Sequence, residues 1–117
     1  MSQTESARTL PPAAGRRIRL SIPALTTLTV DSTVLADVIS LKYFVTAWRV
    51  GTSAKRLTLN VINEAGTVCD MISSRIGSGP KLSIAASVSG SDIIIEITNP
   101  NPGFSIETEL IRFKGGI

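Results

Sequence analysis

The residues that most often do chemistry in proteins are nearly absent from this chain. Its 117 residues include no histidine, which removes the commonest general base, the commonest metal ligand and every Ser-His or Cys-His nucleophile pair. Cys69 is the only cysteine; it stands within a strand-like run with no motif around it and is expected as a small packed thiol. Paired carboxylates are the remaining route to acid–base catalysis. Asp31 and Asp37 fall at the ends of expected strands, Asp70 in a polar strand, and Glu96, Glu107 and Glu109 at outward positions. Solvated faces and turn capping account for all of them. No loop has the D-x-D-x-D spacing of a calcium site. Gly77-Ser78-Gly79-Pro80-Lys81 lacks the G-K-S or G-K-T ending of a phosphate loop, and no helix is expected after it. No catalytic, cofactor-binding or metal-binding residue is therefore expected, and the chain does not read as an enzyme. Tyr43, Phe44 and Trp48 would stack bases or sugars if exposed, but they lie in a run apolar on both faces and are expected in the core.

The elements that carry these residues follow from composition and periodicity. The length is that of one domain, burying about two-thirds of the surface its unfolded chain exposes. Hydrophobic residues make up 43% of the chain and aromatics only 4%, so the core must be built from Ile, Leu, Val and Ala, which suits a thin sandwich of sheets. A lone cysteine permits no intrachain disulfide, and folding in a reduced compartment is the simpler expectation. The opening MSQTESARTLPPAAGRR has no apolar run of signal-peptide length, and no stretch of about 20 apolar residues occurs anywhere. A soluble protein made without export, with no membrane partner, is expected.

Charge is unevenly placed. Residues 1–20 carry Arg8, Arg16, Arg17 and Arg19 against Glu5, while the rest of the chain holds eight basic and eight acidic side chains, so the net +3 belongs to the N-terminal end. Residues 1–16, with Pro11 and Pro12, read as an extended arm ahead of a single sandwich domain over 17–117. The arm has little apolar surface to dock on its own body, so Arg8, Pro11, Pro12, Arg16, Arg17 and Arg19 are expected to reach a neighbouring subunit. Three arginines beside a neutral body make a weak phosphate-binding surface, and nucleic acid is not expected as a partner.

From Arg17 onward the pattern is period two. Ile18, Leu20 and Ile22 alternate with Arg17, Arg19 and Ser21, and Pro23 ends this run or marks it as an edge. A second strand is expected over 26–30, then a crossing loop over 31–40 with at most a short turn of helix. The run 41–50, LKYFVTAWRV, is apolar on both faces and predicts a central strand covered on both sides. Strands over 55–63, 67–76 and 81–88 follow, with a hairpin turn at Asn63-Glu64-Ala65-Gly66. The last 23-residue stretch of strand character, SDIIIEITNPNPGFSIETELIRF, predicts a closing hairpin. Ile93, Ile95, Ile97, Phe104, Ile106 and Leu110 would supply core; Ile94, Ile111 and Phe113 are surplus apolar residues and form a candidate interface. The change of parity in the last strand implies a bulge near Glu109 or a two-sided strand end. Eight short strands joined by Gly, Asn and Pro turns predict an all-β, antiparallel, jelly-roll-like sandwich.

Several of these segments carry a resemblance. The run from Val30-Asp31-Ser32 through Ser40-Leu41-Lys42-Tyr43-Phe44-Val45, the return Gly66-Thr67-Val68-Cys69-Asp70, the corner Arg75-Ile76-Gly77 and the segment Ile95-Glu96-Ile97-Thr98-Asn99 resemble a recurrent β-sandwich module in virion proteins of tailed bacteriophages. The resemblance covers residues 29–113, and its motifs are strand and turn signatures without active-site residues. It implies a structural virion protein, made in the host cytoplasm and placed on the head, neck, tail or a fibre. Because the chain is nearly the bare module with a short arm, a small subunit in many copies is expected, a homo-oligomer whose partners are itself and other virion proteins. A carbohydrate- or receptor-binding module at a tail tip or fibre is the alternative implied.

Overall fold

The period-two runs fold as strands. A computed structural model describes residues 16–116, in which β1 (Arg16–Ile22), β2 (Thr26–Val34), β3 (Val38–Trp48), β4 (Ala54–Glu64), β5 (Thr67–Gly77), β6 (Ser83–Ser89), β7 (Asp92–Asn99) and β8 (Ile106–Gly116) follow in order, with one 3-10 turn, Leu35–Asp37, before β3. All pairings are antiparallel and form two sheets, one in the order β1-β8-β3-β4-β5 and one in the order β2-β7-β6. The chain is an antiparallel β-sandwich. The nested partnerships of β1 with β8 and β2 with β7 are jelly-roll-like, but β3 and β6 stand in different sheets.

The core lies between the sheets and is aliphatic, as composition demands. Ile22, Val45, Leu57, Leu59, Ile93, Ile95, Ile97, Ile106 and Leu110 are fully buried, each contributing roughly 1.5–3 kcal/mol by leaving water. Their spacing is the cause of the architecture: every second residue of β4, β7 and β8 faces the opposite sheet. Tyr43 is the one aromatic among the fully buried side chains.

Two local features set the turns and edges. Ala65 and Gly66 both have positive φ, 54° and 91°, the requirement of the two-residue turn that matches strand twist, and the Asn63 side chain accepts the Gly66 N–H at 2.9 Å. Gly77, with φ of 90°, ends β5 where a Cβ would meet the Ala54 carbonyl oxygen. β1 is an edge strand, as Pro23 suggests.

Three sequence expectations are corrected. Residues 31–40, expected as a crossing loop, are mostly strand, with only the 3-10 turn interrupting them. The reason is a bulge: Thr29 stands opposite Glu96 and Asp31 opposite Ile95, leaving Val30 as the extra residue. Beyond it the parity reverses, so Asp31 and Thr33 point inward while Val34 is exposed, and apolar periodicity misreads the segment. A second shift between Val38 and Ser40 leaves Ile39 exposed.

The run expected to be covered on both sides, β3, is indeed in the middle of its sheet, but only its Leu41, Tyr43, Val45 and Ala47 face is buried. Finally, β7 and β8 are not a hairpin, because β7 lies between β2 and β6 whereas β8 lies between β1 and β3. The Pro100–Pro102 segment is a crossing between sheets. The pairing of β8 with β3 runs without interruption from Ser40 opposite Gly115 to Trp48 opposite Glu107, so the parity change in β8 marks a strand apolar on both faces and not a bulge.

Candidate functional site

The register assembles one uncovered surface from residues far apart in sequence. On the outer face of the five-stranded sheet Arg17, Ile111, Phe44, Thr58 and Ser73 stand in one row, and Arg19, Glu109, Thr46, Arg56 and Ile76 in the next. A third row holds Phe113, Lys42, Asn60 and Met71, and a fourth includes Ile62 and Cys69. No element among the described residues covers this face. An antiparallel sheet with one wet face is ordinary when that face is polar. Here Ile62 is 53% exposed, Met71 63%, Ile76 63% and Phe44 39%.

Phe44 is the centre of the surface. Its ring meets that of Phe113 edge to face, with centroids 5.3 Å apart at 67°, and it separates two shallow concavities. One, of about 430 Å³, lies among Ser40, Lys42, Phe44, Phe113 and Lys114; the other, of about 400 Å³, lies among Phe44, Arg56, Ile76, Glu109 and Ile111. The β1 flank is charged: Arg17 and Arg19 reach Glu109 at 3.5 and 3.7 Å, and the Arg19 guanidinium lies 5.7 Å from the centre of the Trp48 ring. These exposed pairs contribute little to stability. They make an apolar centre with a charged rim, the anatomy of a contact surface.

The sequence-predicted residues are partly brought together. Ile111 and Phe113 share this face, whereas Ile94 lies on the outer face of the other sheet, between Ser32 and Ser87. Arg16, Arg17 and Arg19, expected in the arm, are strand residues of β1 engaged by Asp31 and Glu109 of their own chain. Arg8, Pro11 and Pro12 lie outside the described residues. Phe44 and Trp48, expected in the core, face outward, Phe44 exposed and Trp48 half-buried. Cys69, expected as a packed thiol, is exposed, because its parity on β5 is that of the open face. Phe44, Ile62 and Met71 are legible as apolar residues opposite in parity to the inward ones, but not as a group; Ile76 shares the parity of Val68 and Ile72 and reaches the open face only through the register shift between Arg56 and Thr58.

Beneath the surface lies a polar network. The bulge at Val30 directs Asp31 between the sheets, where its carboxylate accepts the Tyr43 hydroxyl at 2.6 Å and Arg112 Nη1 at 3.1 Å. Arg112 Nη1 also donates to Thr33 Oγ1 at 3.0 Å, and Arg16 reaches the other carboxylate oxygen at 3.5 Å. Burial, then the hydrogen bond to the Asp31 carboxylate and its charge, hold the Tyr43 hydroxyl far above its ordinary pKa near 10. A raised tyrosine pKa means that the folded chain holds its proton where the unfolded chain releases it. The resulting stability is fully present below about pH 10 and is lost as pH rises above it. Urea titrations at pH 8 and pH 11 should show a larger loss for the native chain than for Tyr43→Phe; equal losses would refute this role.

Among the described residues no group of three or more His, Cys, Asp or Glu side chains is placed to hold a metal ion, and no helix is long and apolar enough to cross a membrane. Compared with known proteins, the chain matches no family model and no curated protein.

Proposed function

We propose that the chain is a structural subunit that assembles with further copies of itself, and that its setting is the virion of a tailed bacteriophage. The observation that carries the assembly reading is the apolar centre of the open sheet face, where Phe44, Phe113, Ile111 and Ile76 form one contiguous patch flanked by ion pairs. A patch of that kind on a small domain marks an interaction surface. The virion setting rests on the resemblance in residue pattern. Its motif residues are scaffold residues: Asp31 bonds to Tyr43 across the sandwich, and Asn99 ties β7 to the β1 end.

The test is direct. Purified native chain should sediment as an assembly, and Phe44→Asp should weaken that assembly by tenfold or more, since it desolvates a carboxylate at the contact centre, a cost of about 1.4 kcal/mol or greater. Circular dichroism should not change, because the side chain lies outside the core. A native chain that stays monomeric at high concentration would sink the reading. Gold labelling of an epitope-tagged copy on intact phage particles, viewed by electron microscopy, tests the setting; particles without label would remove it.

A further inference from the structure

The sandwich has four strand edges, and three are guarded in different ways. β1 carries Arg16, Arg17 and Arg19 and is followed by Pro23, so pairing it with its own copy would set arginines against arginines. β2 is broken by the bulge at Val30. On β6 the Ala86 N–H, which would face an incoming strand, already donates to Asp70 Oδ2 at 2.8 Å.

The fourth edge, β5, has one inward carboxylate, Asp70, already held by the Ala86 N–H of the facing sheet, and is otherwise open. From Thr67 to Ser73 it pairs with β4 without interruption, and it contains no proline, lysine or arginine over that length. In an antiparallel ladder every second residue directs both its N–H and C=O away from its partner strand. Those of β5 have no backbone partner among the described residues. The irregularity comes only afterwards, at Ser74, where φ is 55°.

We infer that β5 is the site where two copies join, strand to strand about a twofold axis, converting the five-stranded sheet into a ten-stranded one. This deepens the self-assembly reading and rests on it. The occupant follows from the edge itself. An antiparallel strand is complementary to its own copy, because each free N–H meets a free C=O of the other copy and the twofold axis repeats every such bond, and β5 brings little like charge to that axis. The faces of the two sheets run on continuously only if inward residues oppose inward ones. Asp70 opposite Asp70 of the partner subunit would set like charges together. The remaining central registers place either Met71 or Cys69 on the axis, and both stand on the open outer face. In either register pairing brings Met71, which is exposed in one chain, against the partner subunit's strand and joins the two apolar patches into one platform.

A short bis-maleimide should therefore join two chains through native Cys69 or through the cysteine of Cys69→Ser/Met71→Cys, and should fail with Cys69→Ser/Arg19→Cys on the β1 edge. Met71→Lys should weaken the dimer roughly tenfold, because in either register each chain then brings a lysine to the pairing edge beside the axis, the device by which edge strands resist pairing. Its fold should be unaffected, since Met71 is exposed. Equal cross-linking at position 19, or a native and a Met71→Lys chain of the same mass, overturns the inference. Phe44→Asp separates it from the reading beneath it. If Phe44→Asp dissociates the chain while Met71→Lys does not, the face holds and the edge falls; the reverse result keeps the edge and discards the face. A monomeric native chain overturns both.

Discussion

Arg112→Met should remove about 3–5 kcal/mol of folding stability, the cost of breaking a buried ion pair from one side. Asp31 is the reason. Its side chain is 2% exposed, Arg112 is its near-buried cation at 3.1 Å, and the second cation, Arg16, is mostly exposed and stands 3.5 Å away. Without Arg112 the carboxylate keeps the Tyr43 hydroxyl, a neutral donor, and one long contact to a solvated guanidinium. For a domain whose whole stability is of order 5–15 kcal/mol, that loss is about a fifth or more. Removing the entire network should hurt less than removing one member: Asp31→Leu/Tyr43→Phe/Arg112→Met replaces it by apolar groups and should return to within about 2 kcal/mol of the native chain. Urea unfolding followed by Trp48, the only tryptophan, measures both. A loss below about 1 kcal/mol in Arg112→Met would show that water reaches Asp31 and that the network does not hold the sheets.

Asn99→Ala should cost about 3 kcal/mol, because one buried amide serves several backbone groups at once. Asn99 is the last residue of β7 and is fully buried. Its Nδ2 donates to the carbonyls of Ile22, Pro23 and Phe104 at 3.0, 3.2 and 2.9 Å. Its Oδ1 accepts the Asn101 N–H at 2.9 Å and Asn101 Nδ2 at 2.8 Å. One side chain thus joins the end of β1 in the large sheet, the turn into β2 and the crossing that carries the chain from β7 to β8. The crossing has few other means of support, since Pro100 and Pro102 lack backbone donors, and Asn101 supplies a further bond to the Lys81 carbonyl. Asn99→Asp keeps the shape but points a carboxylate oxygen at three carbonyls, so it should cost at least as much. Chymotrypsin cleavage at Phe104 reads the local consequence; unchanged cleavage together with unchanged urea stability would show that the loop is held elsewhere.

The two hubs differ in how far they could be seen beforehand. Asn99 sits at a strand end before Pro100, where a turn-forming asparagine is expected, and only its burial is new. Asp31 reads as a solvated residue at a strand end, because nothing local marks the bulge at Val30 that turns it inward. The open face is intermediate. The apolar character of Phe44, Ile111 and Phe113 is plain in the sequence, and the surplus in β8 marks a candidate interface there. Its third member, Ile94, belongs to a different surface, because β7 and β8 enter different sheets. Phe44 read as core for a related reason: a strand apolar on both faces is the mark of a doubly covered strand, and here one cover is missing among the described residues.

Alternation in the sequence, by itself, determined that the chain is all-β and antiparallel, where most strands run, and which residues share a side of each strand, because side-chain direction along a strand has a period of two and needs no partner to be defined. The tertiary structure alone decided which side is inside. That depends on which sheet each strand joins and on where a bulge reverses parity, and both are settled by pairings between residues as distant as Arg16 and Arg112. Local pattern carries no information about such partners, so the buried carboxylate, the crossing at Pro100, the open face around Phe44 and the free edge of β5 emerge only when the two sheets are assembled.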